Sequence, residues 1–347
     1  MKTIIKDIQI RAIAAWLPKE RAEIISYSPL YGEATVNSII KATGIEEVRT
    51  ASVGQTASDM CFNAAEYLIS QENINVENID GLIFVSQTSD YILPATSIIL
   101  QDRLRLKKDT VCIDIHYGCS GYIYGVLQAA CWINSGLCKN VLVLAGDTTS
   151  RLINPLDKSL RLVFGDCGTA SLICSGNHRF GFDIMSDGSG FDKLIVPAGG
   201  FRLPCSQKTS EIKFDEDGNG RTLNDLYMDG SAIFNFAISK VPQNIKNTVK
   251  LMNWELEDVD RFILHQANDF MVNYIRKKLK VTPDRVPTNV RLYGNTGPAT
   301  IPLLCSDLFS RQSEKLEKVV MSGFGVGLSW GSIGLCLSDT KFYNPLN

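Results

Sequence analysis

The sequence predicts an α/β fold made of two duplicated halves, 1–175 and 176–347, fused without a linker. Three observations predict it. Residues 77–92 (ENIDGLIFVSQTSDYI) and 257–272 (EDVDRFILHQANDFMV) share one rhythm at an offset of 180 residues: an acidic turn, a short apolar run, then polar residues. A second pair, KNVLVLAGD at 139–147 and EKVVMSGFG at 317–325, keeps the same order at an offset of 178. The stretches between these runs read as helices. Short unbroken apolar runs suit parallel strands buried on both faces, and recurrence at nearly one offset marks duplication.

The helices follow in order. Residues 56–70 (TASDMCFNAAEYLIS) begin at a capping Thr56 and place Met60, Ala64 and Tyr67 on one face. Residues 120–135 are apolar nearly all round, which predicts a buried helix. Residues 267–280 carry Ala267, Phe270, Met271, Tyr274, Ile275 and Leu279 as an apolar series, with Arg276, Lys277, Lys278 and Lys280 on the exposed part. Residues 199–225 are polar and turn-rich, an excursion or lid in which EIKF forms an edge strand. Near residue 175 the chain passes from LICS through GNHRFG into another strand, so the halves share an interior.

Composition narrows the function classes. With 35 Lys+Arg against 37 Asp+Glu the net charge is -2, which supplies no broad basic field for nucleic acid. A 45% hydrophobic and 21% charged chain fills a sizeable core. The opening MKTIIKDIQIRAIAAW is too interrupted for a secretory leader, and no apolar run reaches membrane-spanning length, so a cytoplasmic protein without membrane insertion is expected. The ten cysteines lie too far apart for a zinc knuckle or a dense disulfide scaffold, so no metal site is expected.

Four features could carry chemistry. Cys119 follows an apolar strand and precedes an apolar helix, between Gly118 and Gly121. At a helix N-terminus, backbone N–H groups and the dipole favour a thiolate; the alternative is a small packing cysteine. His265 closes the strand-like DRFILHQAN, where an imidazole can donate to developing charge; it is one of three histidines, and a structural hydrogen bond is the other reading. His116 and His178 are alternatives, although strand direction is expected to carry the His116 side chain away from Cys119. Asn295, in RLYGNTGPATIP, is either a turn residue or a rigid amide donor beside an oxyanion. GFGVGLSWG at 323–331 can bring a backbone N–H to a carbonyl; it lacks the spacing of a phosphate loop or a dinucleotide fingerprint.

With GCSGY around Cys119, LVFGD at 162–166, VPAGG at 196–200, HQAN at 265–268, YGNTG at 293–297 and the terminal GFGVGLSWG, the chain resembles the thiolase superfamily, specifically its ketoacyl-acyl-carrier-protein synthase III group, over almost its whole length. The resemblance implies a thiolase-like five-layer αβαβα fold and a homodimer. It implies Cys119 as acyl acceptor, His265 and Asn295 as the pair acting on an incoming malonyl-type thioester, and the backbone N–H groups of Cys119 and Val326 as an oxyanion hole. Leu93 falls where a bulky residue reaches the partner's acyl pocket. The implied reaction is decarboxylative Claisen condensation, with acyl-ACP or acyl-CoA as donor and no permanently bound cofactor.

Departures bear on the donor. Members commonly carry a Trp seven residues and an Arg two residues before the glycine of a TGI motif; around Thr43-Gly44-Ile45 this chain has Asn37/Ser38 and Ala42, with Lys41 and Arg49 as nearby cations. HQANDF puts Phe270 where an arginine is usual. Losing those stacking and phosphate-pairing groups weakens the usual acetyl-CoA priming assignment and favours a specialised synthase loaded from an acyl carrier protein or an atypical coenzyme A thioester. Arg276, Lys277 and Lys278 then form a landing face for that acidic carrier, or simply a solvated helix face. Two other readings stay open: an acyltransferase passing the Cys119-bound acyl group to an amine, alcohol or small metabolite, and a non-catalytic partner in a biosynthetic complex.

Overall fold

A computed structural model describes residues 1–311 and 316–347. Nine strands form one hydrogen-bonded sheet: β1 (Lys2–Trp16), β2 (Gly81–Val85), β3 (Val111–Ile115), β4 (Asn140–Asp147), β5 (Cys167–Ser186), β6 (Arg261–Leu264), β7 (Val319–Gly325), β8 (Ser329–Leu335) and β9 (Lys341–Phe342). The helices packed on it include α1 (Ala57–Gln71), α2 (Gly121–Asn134), α3 (Gly230–Leu251), α4 (Asp269–Leu279) and α5 (Thr300–Phe309). The strand order is β6-β7-β8-β5-β4-β2-β3, with β1 alongside β5 and β9.

The duplicated text lands on equivalent strands. β2 and β6 carry the first matching pair, and each lies parallel to the strand carrying the second, β4 and β7. β4 and β7 in turn pair antiparallel with β5 and β8. The halves are joined through β1 and β5, which pair antiparallel from Lys2↔Asp183 to Trp16↔Gly168. The 175/176 division falls inside β5, at the irregularity where Ile8 faces both Ser175 and His178.

Three apolar cores make five layers. Between the two sheet halves, α2 and α5 meet Ile83, Val143, Ile263 and Ile333. Outside the first half, α1 packs Ala57, Cys61, Ala64 and Leu68 against Leu82, Phe84, Leu142 and Leu144. Outside the second, α3 and α4 cover Phe262, Leu264, Val320 and Phe324. α1 starts at the expected Thr56, whose hydroxyl accepts from Asp59 N while the Asp59 carboxylate accepts from Thr56 N. α4 begins later than periodicity suggests, at Asp269, because Asn268 is extended and its side chain accepts from Met271 N. Within 199–225 the strand content is short: Lys213–Phe214 pairs with Gly220–Arg221. Among the described residues, no helix is long and apolar enough to cross a membrane.

Candidate active site

β3 ends at Ile115, and the turn through Gly118 delivers Cys119 just ahead of α2, whose cap is Ser120. Gly118 is closely packed: a Cβ there would stand 2.0 Å from Gln87 Oε1 and 2.9 Å from Val326 Cγ1, so those side chains would have to shift. From the opposite half, the turn after β7 closes over the thiol, so a Cβ on Gly325 would lie 2.7 Å from the Cys119 sulfur. Ser120 and Ser329 tie the two segments through their hydroxyls at 2.6 Å, and Ser329 donates to Val326 O at 2.8 Å. The Val326 N–H is aimed at the Cys119 sulfur, and the N–H of Cys119 itself also stabilises negative charge there.

Burial overrides those donors at rest. Cys119 is 7% exposed, and desolvation pushes its thiol up to about 11 against the pull of Val326. At rest the loss of water around the sulfur outweighs the two amides and favours the thiol.

His265 continues β6, its N–H donating to Ser322 O at 2.8 Å. Its ring is 1% exposed and stands edge-on to Phe324 at 5.4 Å. Nδ1 and Thr300 Oγ1 are 2.7 Å apart, and burial holds the imidazole pKa down to about 3, so it is neutral at physiological pH. The Thr300 hydroxyl also approaches Gly297 O at 3.1 Å.

Asn295 is held by the first half's last loop, its N–H donating to Val163 O and its carbonyl accepting from Gly165 N. Its Oδ1 accepts from Gly297 N at 3.0 Å, which fixes the carboxamide and leaves Nδ2 as the free donor end. Gly297 adopts φ +61°, and a Cβ there would sit 2.9 Å from Asp147 Oδ2.

A chain of contacts therefore joins the three residues. Asn295 leads through Gly297 and Thr300 to His265, then through Phe324 and Gly325 to Cys119. Cys119 borders a cavity of about 1120 Å³ whose walls include Gly297 and Val326, while His265 and Asn295 lie buried behind that lining.

Other expected positions divide. His116 lines this cavity beside Cys119, contrary to the strand-direction argument: β3 stops one residue earlier and the chain turns, with Tyr117 N donating to Ile115 O. Leu93 is 78% exposed and lies outside the walls of this chain's cavity, which take in Tyr91 and Ile92 instead. Arg276 turns back on its own helix, donating to Asn273 Oδ1 and Val281 O, while Lys277 and Lys278 project outward. Arg49 is engaged by Glu47 and Pro18 O. Phe270, 57% exposed, stacks on Phe234 at 5.3 Å.

Two site residues escaped sequence reasoning. Thr300 gives no local signal. Asp147 does, because an acid ending the fully buried run VLVLAG is costly unless held. Its Oδ1 accepts from Ser86 Oγ, Gln87 N and Thr88 N, and burial pushes its pKa up to about 7 against those bonds. Among the described residues, no group of three or more His, Cys, Asp or Glu side chains is placed to hold a metal.

Residues 113–188 match the family model for 3-oxoacyl-[acyl-carrier-protein (ACP)] synthase III, and residues 250–336 match that for its C-terminal part. A beta-ketoacyl-[acyl-carrier-protein] synthase III of Streptococcus gordonii is 34% identical over 300 residues, 85% of this chain and 89% of that protein. The chain belongs to the 3-oxoacyl-[acyl-carrier-protein] synthase III family. A synthase III of Clostridioides difficile is 33% identical over 93% of this chain and 96% of its own length. The crystal structure of a 3-oxoacyl-(acyl-carrier protein) synthase from Burkholderia xenovorans superposes with a TM-score of 0.93 at 34% identity, covering 100% of this chain and 98% of that one. The fold is thus the thiolase-like one, and the activity class of this synthase III family member is acyl transfer and condensation.

Proposed function

We propose that this chain is a specialised condensing enzyme that loads an acyl group on Cys119 and extends it with a malonyl-type thioester. The observation that carries the reading is the convergence of the Val326 N–H on the Cys119 sulfur with the buried, neutral His265 one contact layer behind. In the first stage the Sγ–acyl bond forms as the donor's C–S bond breaks, and the thiol proton leaves with the departing thiol. The Cys119 and Val326 amides carry the transient oxyanion. In the second stage, His265 and Asn295 donate to the extender's thioester oxygen while carbon dioxide departs. The resulting carbanion attacks the acyl carbon, and the sulfur leaves as thiolate and takes a proton from water. A permanently neutral imidazole suits the donor role, since it carries a proton to offer without adding charge.

A homodimer and an acyl carrier protein are part of this reading. β3 is the open edge of the sheet and all five of its residues are only half-buried, while Tyr91, Ile92 and Leu93 protrude beside it, features that a second copy would cover. The Leu93 position outside its own cavity is compatible with a reach into the partner's. Lys277 and Lys278 offer positive charge to an acidic carrier, and the Phe270–Phe234 stack offers no partner for a nucleotide phosphate.

Intact-mass spectrometry after incubation with carrier-linked and coenzyme A-linked acyl donors tests the first stage, with digestion to locate the adduct. Cys119→Ala is expected to abolish it; stoichiometric acylation of that variant would reject the assignment. Malonyl-dependent carbon dioxide release tests the second stage, and product formation without it would favour transfer to another acceptor.

A further inference from the structure

The lining of the reaction cavity is mixed. Leu194, Val196 and Leu226, from the second half, are apolar, as are Ile92, Leu152 and Phe164 from the first. The exits of β2, β3 and β4 add a polar wall of Gln87, Thr88, His116, Thr148 and Thr149. The Gln87 carboxamide sits against Gly118, the residue preceding the thiol. Among the described residues, neither that carboxamide, nor the His116 ring, nor the Thr149 hydroxyl has a hydrogen-bond partner, although Thr149 is only 7% exposed.

The polar wall is also rigid. Asp147 Oδ1 accepts from Gln87 N at 2.7 Å and from Thr88 N and Oγ1 at 3.2 Å, and Thr148 N donates to Thr88 Oγ1 at 3.0 Å. An alkyl chain laid along this wall would strip water from its donors and acceptors and replace none of the lost hydrogen bonds. A chain bearing a hydroxyl would satisfy one or two of them while its hydrocarbon part meets apolar lining such as Leu194 and Leu226. Resting on the acyl-Cys119 reading above, we infer that the acyl group this enzyme carries is a hydroxylated one, recognised through Gln87 and Thr149. Loading conserves the substituent: the donor C–S bond breaks, the Sγ–C bond forms, the thiol proton goes to the released thiol, and the hydroxyl stays on the chain.

The test is competition between 3-hydroxybutanoyl and butanoyl thioesters, on both coenzyme A and a phosphopantetheinylated carrier, read as the ratio of Cys119 adduct masses on the full-length protein. A ratio of about ten or more in favour of the hydroxyacyl group is expected from one or two satisfied hydrogen bonds. Gln87→Leu and, separately, the near-isosteric Thr149→Val are expected to bring the ratio towards one, with melting curves reporting whether each variant folds. Equal loading of the two donors by the unaltered protein would overturn the inference and leave acyl-Cys119 standing. So would variants that load both donors more slowly at an unchanged ratio, since that would place these side chains on the pantetheine arm shared by the donors. No adduct from any donor would overturn the acyl-cysteine reading, and the inference with it.

Discussion

Replacing Thr300 with valine isolates what holds His265. Both residues are 1% exposed, and the hydroxyl bridges His265 Nδ1 at 2.7 Å and Gly297 O at 3.1 Å. For Nε2 to carry the proton that a developing enolate needs, the hydroxyl must donate to Nδ1; valine keeps the volume and removes that choice. The hydroxyl has one proton to give, to Nδ1 or to Gly297 O, and the buried acceptor that loses it costs about 1–3 kcal/mol of stability, so a lowered melting temperature is expected. Loss of one neutral hydrogen bond orienting the ring is worth about 1 kcal/mol, or roughly a five- to tenfold fall in the step that uses it. The assay separates the stages: single-turnover acylation of Cys119 by mass, and malonyl-dependent carbon dioxide release. Acylation is expected to hold while carbon dioxide release drops, with Thr300→Ser restoring it. An equal fall in both stages, or a serine no better than valine, would refute the positioning role of Thr300.

Two further outcomes follow from the same geometry. Because burial pushes the Cys119 thiol up to about 11, its thiolate fraction rises with pH across the whole neutral range. Alkylation by iodoacetamide should therefore keep accelerating from pH 7 to 10, and a plateau below pH 8 would show that the two amides prevail. Lys277→Glu with Lys278→Glu is expected to raise KM for a carrier-linked donor several-fold at low salt, because both side chains are exposed and screening weakens such pairs. The same donor group on pantetheine alone should be unaffected; equal changes for both would remove the docking face.

The sequence made the scaffold legible wherever burial writes a pattern. β2, β4, β6 and β7 are enclosed on both faces, so their apolar runs are unbroken and the duplication shows through at nearly one offset. The Thr56 cap was readable because hydroxyl and acid stand three residues apart. Patterning fails where the chain leaves regular structure. His116 lies just past β3, where alternation no longer sets direction, and it turns into the cavity. Arg276 reads as one of three equivalent cations, but only folding reveals that it is engaged by Asn273 Oδ1 and by Val281 O just past the helix. Thr300 and Gln87 act across contacts between remote segments, which no local periodicity encodes.

β1 pairs antiparallel with β5 on both sides of the irregularity at Ile8, and β5 crosses from one half into the other. A hinge between the halves would have to tear that ladder, so the chamber cannot gape by swinging one lobe away from the other. Whatever admits a pantetheine arm must belong to the exposed part of the cavity lining, which includes Tyr91, Ile92, Gly199 and Gly200. Catalytic geometry and passage of substrate are thereby mechanically separate, and that exposed part can be remodelled for a new cargo without disturbing the alignment beneath it.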